Sequence, residues 1–140
     1  MHISKIFLTV DVVLLKKNHD NYYILLIQRK NNPFQNFWAL PGGFVDENED
    51  LESAAKRELQ EETSIKIEKL EQLKAFGKPF RDPRNHVVSV AFLGFVNEDA
   101  NAIAADDAKE VAWFSIDNLP KLAFDHDEII NFTLSKIKII

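Results

Sequence analysis

The chain has no cysteine, only four glycines in 140 residues, and no long apolar run. Without cysteine, neither a disulfide nor a thiolate metal site can form, and cysteine usage says nothing of compartment. The most apolar stretches, such as Val87–Val96, are broken by polar residues and are far too short to span a bilayer. The opening M-H-I-S-K-I-F-L-T-V-D lacks the long apolar region and small-residue cleavage site of a signal peptide. A cytoplasmic protein with no membrane partner is expected. No basic stripe is visible, so nucleic acid is not an expected partner either. The small basic clusters, Gln28-Arg29-Lys30 and Arg81–Arg84, suit a small anion instead. With 46% apolar and 28% charged residues, the chain reads as one globular domain, 1–140.

What is present is acid, and it is concentrated. The net charge is −5, yet Asp46–Glu62 alone holds eight acids against Lys56 and Arg57, a net of −6. Within it, Glu58, Glu61 and Glu62 lie three and four residues apart, which stacks like charges on one helical face.

The surrounding pattern is of strands and two helices. Phe7–Leu15 and Tyr22–Gln28 are rich in β-branched and aromatic residues and flank the turn Asn18–Asn21, which predicts a hairpin. Phe37–Leu40 reads as a short strand running into Pro41-Gly42-Gly43. Asp50–Thr63 reads as a helix with Asp50 as N-cap. Leu70–Phe76, His86–Val96 and Glu110–Phe114 read as strands. Asp125–Lys138 reads as a helix capped by Asp125, with Glu128 third and a staple between Phe124 and Ile129. This order predicts an α/β/α sandwich with a central mixed β-sheet.

At roughly 100° per residue, Leu51, Ala54, Ala55, Glu61 and Glu62 fall within about 60° of Glu58. The carboxylates therefore continue the inward stripe, while Glu52, Ser53, Lys56 and Gln60 take the opposite side. Bunched acids near the interior need a positive partner. A hard divalent cation such as Mg²⁺ takes oxygen ligands and bridges to phosphates. The alternative is a solvated acidic face. Upstream, Gly42-Gly43 permits unusual backbone angles and close approach of a ligand.

Gly43, five residues, Glu49, seven residues, then R-E-L-Q-E-E-T-S-I resembles the Nudix box, G-x5-E-x7-R-E-U-x-E-E-x-G-U, with U aliphatic. The match runs over 23 residues, Gly43–Ile65, and departs at Ser64, where the family has glycine. The resemblance implies a Nudix fold and an Mg²⁺-dependent hydrolase, with Mn²⁺ as the alternative ion, acting on a nucleoside diphosphate linked to another group. It implies Glu58, Glu61 and Glu62 as metal-binding carboxylates, with a carbonyl of Gly42 or Gly43 as a further ligand. Glu49 and Arg57 match the pair that braces the glycine loop against the helix. Glu61, Glu62 and Glu110 are candidates for the general base, and Glu110 is equally readable as a strand-edge acid.

Outside the box, Phe80–Phe92, Ala105–Phe114 and Leu119–Ile130 resemble bacterial ADP-ribose pyrophosphatases. Related domains occur as ligand domains of NAD-metabolism repressors. That implies a nucleotide-sugar substrate and a homodimer, here expected through the N-terminal strands. Arg81 and Arg84, in a proline-bearing turn, suit phosphate geometry. Asp82 is expected to fix the turn. Phe34, Phe37 and Phe80 are candidate faces for adenine, and His126 is a candidate lining residue. Two other readings are a hydrolase of nucleoside triphosphates and a non-catalytic ADP-ribose sensor. The chain ends at Ile140 without room for a winged helix and keeps every carboxylate of the box, so the enzyme is expected over the sensor.

Overall fold

The computed structural model describes residues 2–105 and 108–137. Strands β1 (Phe7–Asn18) and β2 (Asn21–Arg29) form the expected hairpin. They are followed by β3 (Trp38–Ala39), β4 (Gly42–Phe44), α1 (Leu51–Thr63), β5 (Glu71–Phe76), β6 (Val87–Val96), β7 (Ala108–Ser115) and α2 (His126–Ile137). The expected end of the last helix at Lys138, and Asp106-Asp107 of the Ala105–Phe114 stretch, lie outside the described residues. The strands make one sheet in the order β3-β2-β1-β6-β5, with β4 also on β1 and β7 also on β2. The β1–β6 pair is parallel and the others are antiparallel, so the sheet is mixed.

Side chains alternate between faces along a strand. In β1, Val10, Val12 and Leu14 pack with Ala54, Ala55 and Leu59 of α1. Val13 and Leu15 pack with Ile129 and Ile130 of α2. These two cores make the α/β/α sandwich. By the same alternation, Thr9 and Asp11 belong to the α2 face.

β1 changes neighbours along its length. It pairs with β2 only over Leu15–Asn18, while β4 pairs with Thr9–Asp11. β2 continues to β3 and β7 instead. A cleft opens where the strands part, lined by Thr9 and Asp11 on one side and by Ile27 and Arg29 on the other.

Asp50 caps α1 as expected, its carboxylate accepting from the N–H groups of Glu52 and Ser53. The helix ends on Ser64 at φ 66°, ψ 8°, with the Ser64 N–H on the Gln60 carbonyl. The left-handed conformation that favours glycine is thus adopted by serine, at a cost of roughly 1 kcal/mol. Its Oγ donates to the Ile103 carbonyl at 3.3 Å.

The inward face of α1 consists of Ala54, Ala55, Leu59, Glu62 and Thr63. It is centred nearer to Leu59 than the sequence phase suggests. Glu62 is therefore buried, Glu58 sits at the border, and Glu61 is exposed. The expectation that all three carboxylates share the inward stripe holds for two of them. Leu59, fully buried, outcompetes Glu61 for the interior because apolar burial is favourable and carboxylate burial is not.

The start of α2 also differs from expectation. The Asp125 carboxylate does not cap the helix but takes both ends of the Arg81 guanidinium, at 2.9 and 2.6 Å. The Asp125 backbone carbonyl meets the Glu128 and Ile129 N–H groups instead. Phe124 does not staple Ile129. It packs against Phe34, while Ile129 belongs to the core under α2.

Candidate active site

The cleft has a volume of about 430 Å³ and mixed walls. Its acids include Asp11, Asp46, Glu58 and Glu62, and its bases are Arg29, Lys30, Arg81 and Arg84. Gly42, Gly43 and His126 also line it.

The glycine loop lies against the acidic helix. The Gly42 N–H donates to Glu62 Oε1 at 2.8 Å. Gly43 passes so close to Glu58 that an added Cβ would stand 2.5 Å from the carboxyl carbon. No glycine among the described residues has a positive φ, so close approach, not unusual backbone angles, is what requires glycine here. At Gly42 a Cβ would meet the Val10 carbonyl at 2.1 Å.

Arg57 holds loop and helix together. Its guanidinium forks onto Glu49 at 2.7 and 2.9 Å and donates to the Phe44 carbonyl at 3.1 Å. It also donates to Glu58 at 2.7 Å and to Glu61 at 3.2 Å. The fork pulls the Glu49 carboxyl down to about 2 and raises Arg57 further above its ordinary range. Glu58 moves the other way. Burial raises its pKa, helped by Glu61 and Asp46 and opposed by Arg57.

Two arginines are fixed by aspartates. The Arg81 side chain is almost wholly buried and is held by Asp125. Arg84 is held at 3.0 and 2.7 Å by Asp82, which also accepts the Arg84 backbone N–H. Burial pushes the Asp82 carboxyl up, but these bonds outweigh it and the net shift is downward. Asp82 therefore fixes the turn.

The cleft brings together Glu58, Glu62, Gly42, Gly43, Arg81, Arg84 and His126. It does not bring in three other candidates. Glu61 faces solvent beside Arg57. Glu110 is exposed on β7 opposite Gln28 and lies outside the cleft lining. Phe80 is 91% exposed and lines a separate small hollow with Pro79 and Pro83. Phe34 and Phe37 do not line the cleft; Phe34 packs edge-on against Phe124, which does. Sequence reasoning passed over Asp11 and Asp46. Asp11 had a visible signal, as the one charge inside the apolar run of β1.

The NUDIX domain family matches residues 5–132. The chain belongs to the Nudix family. It is 48% identical over 122 residues to an ADP-ribose pyrophosphatase of Methanocaldococcus jannaschii, covering 86% of this chain and 69% of that protein. Among solved structures, it is similar to the NUDIX domain of Shewanella oneidensis NrtR complexed with ADP ribose. That match has a TM-score of 0.89 and 34% identity, over 96% of this chain and 90% of that one. It is also similar to a bifunctional NMN adenylyltransferase/ADP ribose pyrophosphatase of Francisella tularensis, complexed with AMP and a Mn ion. There the TM-score is 0.83 and the identity 32%, over 96% of this chain but only 42% of that one. The family and these relatives make the chain a Nudix hydrolase.

Nudix hydrolases generally use a divalent metal. The donors at the Nudix box fit a hard cation. Glu58 and Glu62 offer carboxylate oxygens one helical turn apart on one cleft, and burial leaves the Glu58 carboxylate short of the solvation a cation would replace. The triad of Glu58, Glu61 and Glu62 is nonetheless not assembled. Among the described residues, no group of three or more His, Cys, Asp or Glu is placed to hold a metal. Glu61 turns outward, and Arg57 holds Glu58 at 2.7 Å.

Proposed function

We propose that this protein hydrolyses the diphosphate bond of ADP-ribose to AMP and ribose 5-phosphate, with Mg²⁺ held by Glu58, Glu62 and the Gly42 carbonyl. The observation that carries this reading is one cleft combining the Glu58–Glu62 pair on its glycine loop with the fixed guanidiniums of Arg81 and Arg84. The kinship with an ADP-ribose pyrophosphatase supports the choice of substrate.

Bound divalent metal would offset phosphate charge and make a water more nucleophilic. Arg81 and Arg84 are planar groups whose aspartate bonds stop them from turning, so they present positive charge to a diphosphate with little to reorganise. Water adds to one phosphorus, the bridging P–O bond breaks, and the leaving phosphate carries away the electron pair. Glu62 is the candidate base best placed to take the water's proton, because Glu61 and Glu110 do not line the cleft. Arg57 and Glu49 keep helix and loop in register. The exposed apolar side chains Ile3, Ile6, Phe7, Leu8 and Phe44 are consistent with a homodimer through the N-terminal strands.

A second reading is a binding-only sensor, favoured by the likeness to the ADP-ribose-bound NrtR domain. A substrate panel with Mg²⁺ and product identification separates the two. AMP and ribose 5-phosphate, at far higher kcat/KM than for dGTP, are expected. Tight ADP-ribose binding without turnover would establish the sensor. Pyrophosphate released from a triphosphate instead would refute both.

A further inference from the structure

One acid interrupts the central strand. Asp11 is 7% exposed, and Val10, Val12, Val13, Leu14 and Leu15 around it are fully buried. A carboxylate in such a place is costly unless it is well bonded and used.

Two groups from other elements hold it. Ser89 of β6, fully buried, donates its hydroxyl to Oδ2. His126 of α2 brings Nε2 to 3.5 Å from Oδ1. The His126 ring is itself fixed. Its Nδ1 accepts the Leu40 N–H at 2.9 Å, so the proton of the neutral ring is on Nε2, facing Asp11. Burial lowers the His126 pKa, which favours the neutral ring, against the raising effect of Asp11 and Asp125.

Asp11 and Gly42 both line the cleft, and no side chain of Gly42 covers Oδ1. Asp11 stands opposite Gly42 in the β1–β4 ladder. A Cβ at Gly42 would come 2.6 Å from Oδ1. The absent side chain therefore uncovers an acceptor beside the Gly42–Glu62 bond. An ionised carboxylate only accepts hydrogen bonds and repels phosphate. Beside a diphosphate, the nearest donors on a nucleotide sugar are its sugar hydroxyls.

We infer that Asp11 is a specificity residue whose Oδ1 accepts a hydrogen bond from a substrate sugar hydroxyl, with Ser89 and His126 as its positioning residues. This rests on the proposed reaction and adds which part of the substrate the buried strand reads.

The test compares ADP-ribose with analogues lacking single ribose hydroxyls, on the full chain. The readouts are kcat and KM, and calorimetric binding without metal. The wild type should disfavour one deoxy analogue by about 10- to 100-fold, the value of a hydrogen bond to a charged group. Asp11→Asn, whose neutral amide oxygen is a weaker acceptor, should reduce that discrimination several-fold while the other analogues keep their ranking. Ser89→Ala and His126→Asn leave the carboxylate but loosen it, so they should raise KM for ADP-ribose more than they lower kcat. His126→Gln, which keeps a donor toward Asp11, should recover part of the loss. Equal discrimination by the wild type and Asp11→Asn would overturn the inference. So would an Asp11→Asn defect confined to metal affinity, which would assign Oδ1 to a metal-bound water. If Asp11→Asn does not fold, wild-type discrimination unchanged in both Ser89→Ala and His126→Asn overturns it. A wild type that ignores ADP-ribose defeats the proposed reaction instead, and the deoxy comparison then decides the role of Asp11 on the preferred nucleotide.

Discussion

Gly43→Ala should separate activity from stability. An alanine Cβ would stand 2.5 Å from Glu58 Cδ and Oε2 and 2.8 Å from Oε1, where ordinary contact begins near 3.4 Å. The Glu58 carboxylate must retreat by about 1 Å, a misplacement that costs on the order of 100-fold in rate at a reacting centre. That corresponds to roughly 2.7 kcal/mol of transition-state stabilisation. The fold should scarcely notice. Gly43 has no positive φ, so alanine adds no backbone strain, and it restricts the unfolded chain by about 0.4–1 kcal/mol in the stabilising direction. The loss to set against this is the 2.7 Å bond between Arg57 and Glu58, while the Glu49 fork stays intact. Net stability should change by no more than about 1 kcal/mol, or roughly 3–4 °C in Tm. Steady-state kinetics on the preferred substrate and thermal melts, each with and without Mg²⁺, read both quantities. A kcat/KM within threefold of wild type would refute the reasoning. So would a loss of activity that merely follows unfolding.

Mg²⁺ at about 100 times its dissociation constant should stabilise the protein by about 2.7 kcal/mol, seen as a rise in Tm. Glu58→Gln should shrink that rise, and at pH 7 without metal it should make the protein more stable, because an acid with a raised pKa costs stability once ionised. Glu49 has the opposite sign. Its lowered pKa gives stability that is present above its unfolded value of 4.5 and lost as pH falls toward about 2, so Glu49→Gln should flatten acid melts over that window. Asp125→Ala leaves the Arg81 charge buried without its fork and should cost about 3–5 kcal/mol in urea denaturation. A cost below about 1 kcal/mol would mean that Arg81 swings out to solvent. Ser64→Gly should stabilise by up to about 1 kcal/mol by relieving the left-handed serine, and should leave kcat unchanged.

Features set by local spacing were legible in the sequence. The hairpin about Asn18–Asn21, the Asp50 cap and the strained end at Ser64 depend on residues a few positions apart. The pairing of Glu58 with Glu62 on one face follows from the helical repeat, and the Glu49–Arg57 brace is what the Nudix-box resemblance implied. Tertiary structure decided what local rules left open. Whether Glu61 turned inward depended on how deeply Leu59 sank beneath the sheet, and that depth is set by Val10, Val12 and Leu14 across the core. Arg81 and Asp125 are 44 residues apart, and only the return of the chain at α2 turns a cap candidate into a buried ion pair. The Ser89–Asp11–His126 group draws on three elements. Its one sequence trace is an aspartate in an apolar strand. A lone buried charge shows that a partner must exist, but the partner's identity is fixed by packing across the sheet, which spacing along the chain does not encode.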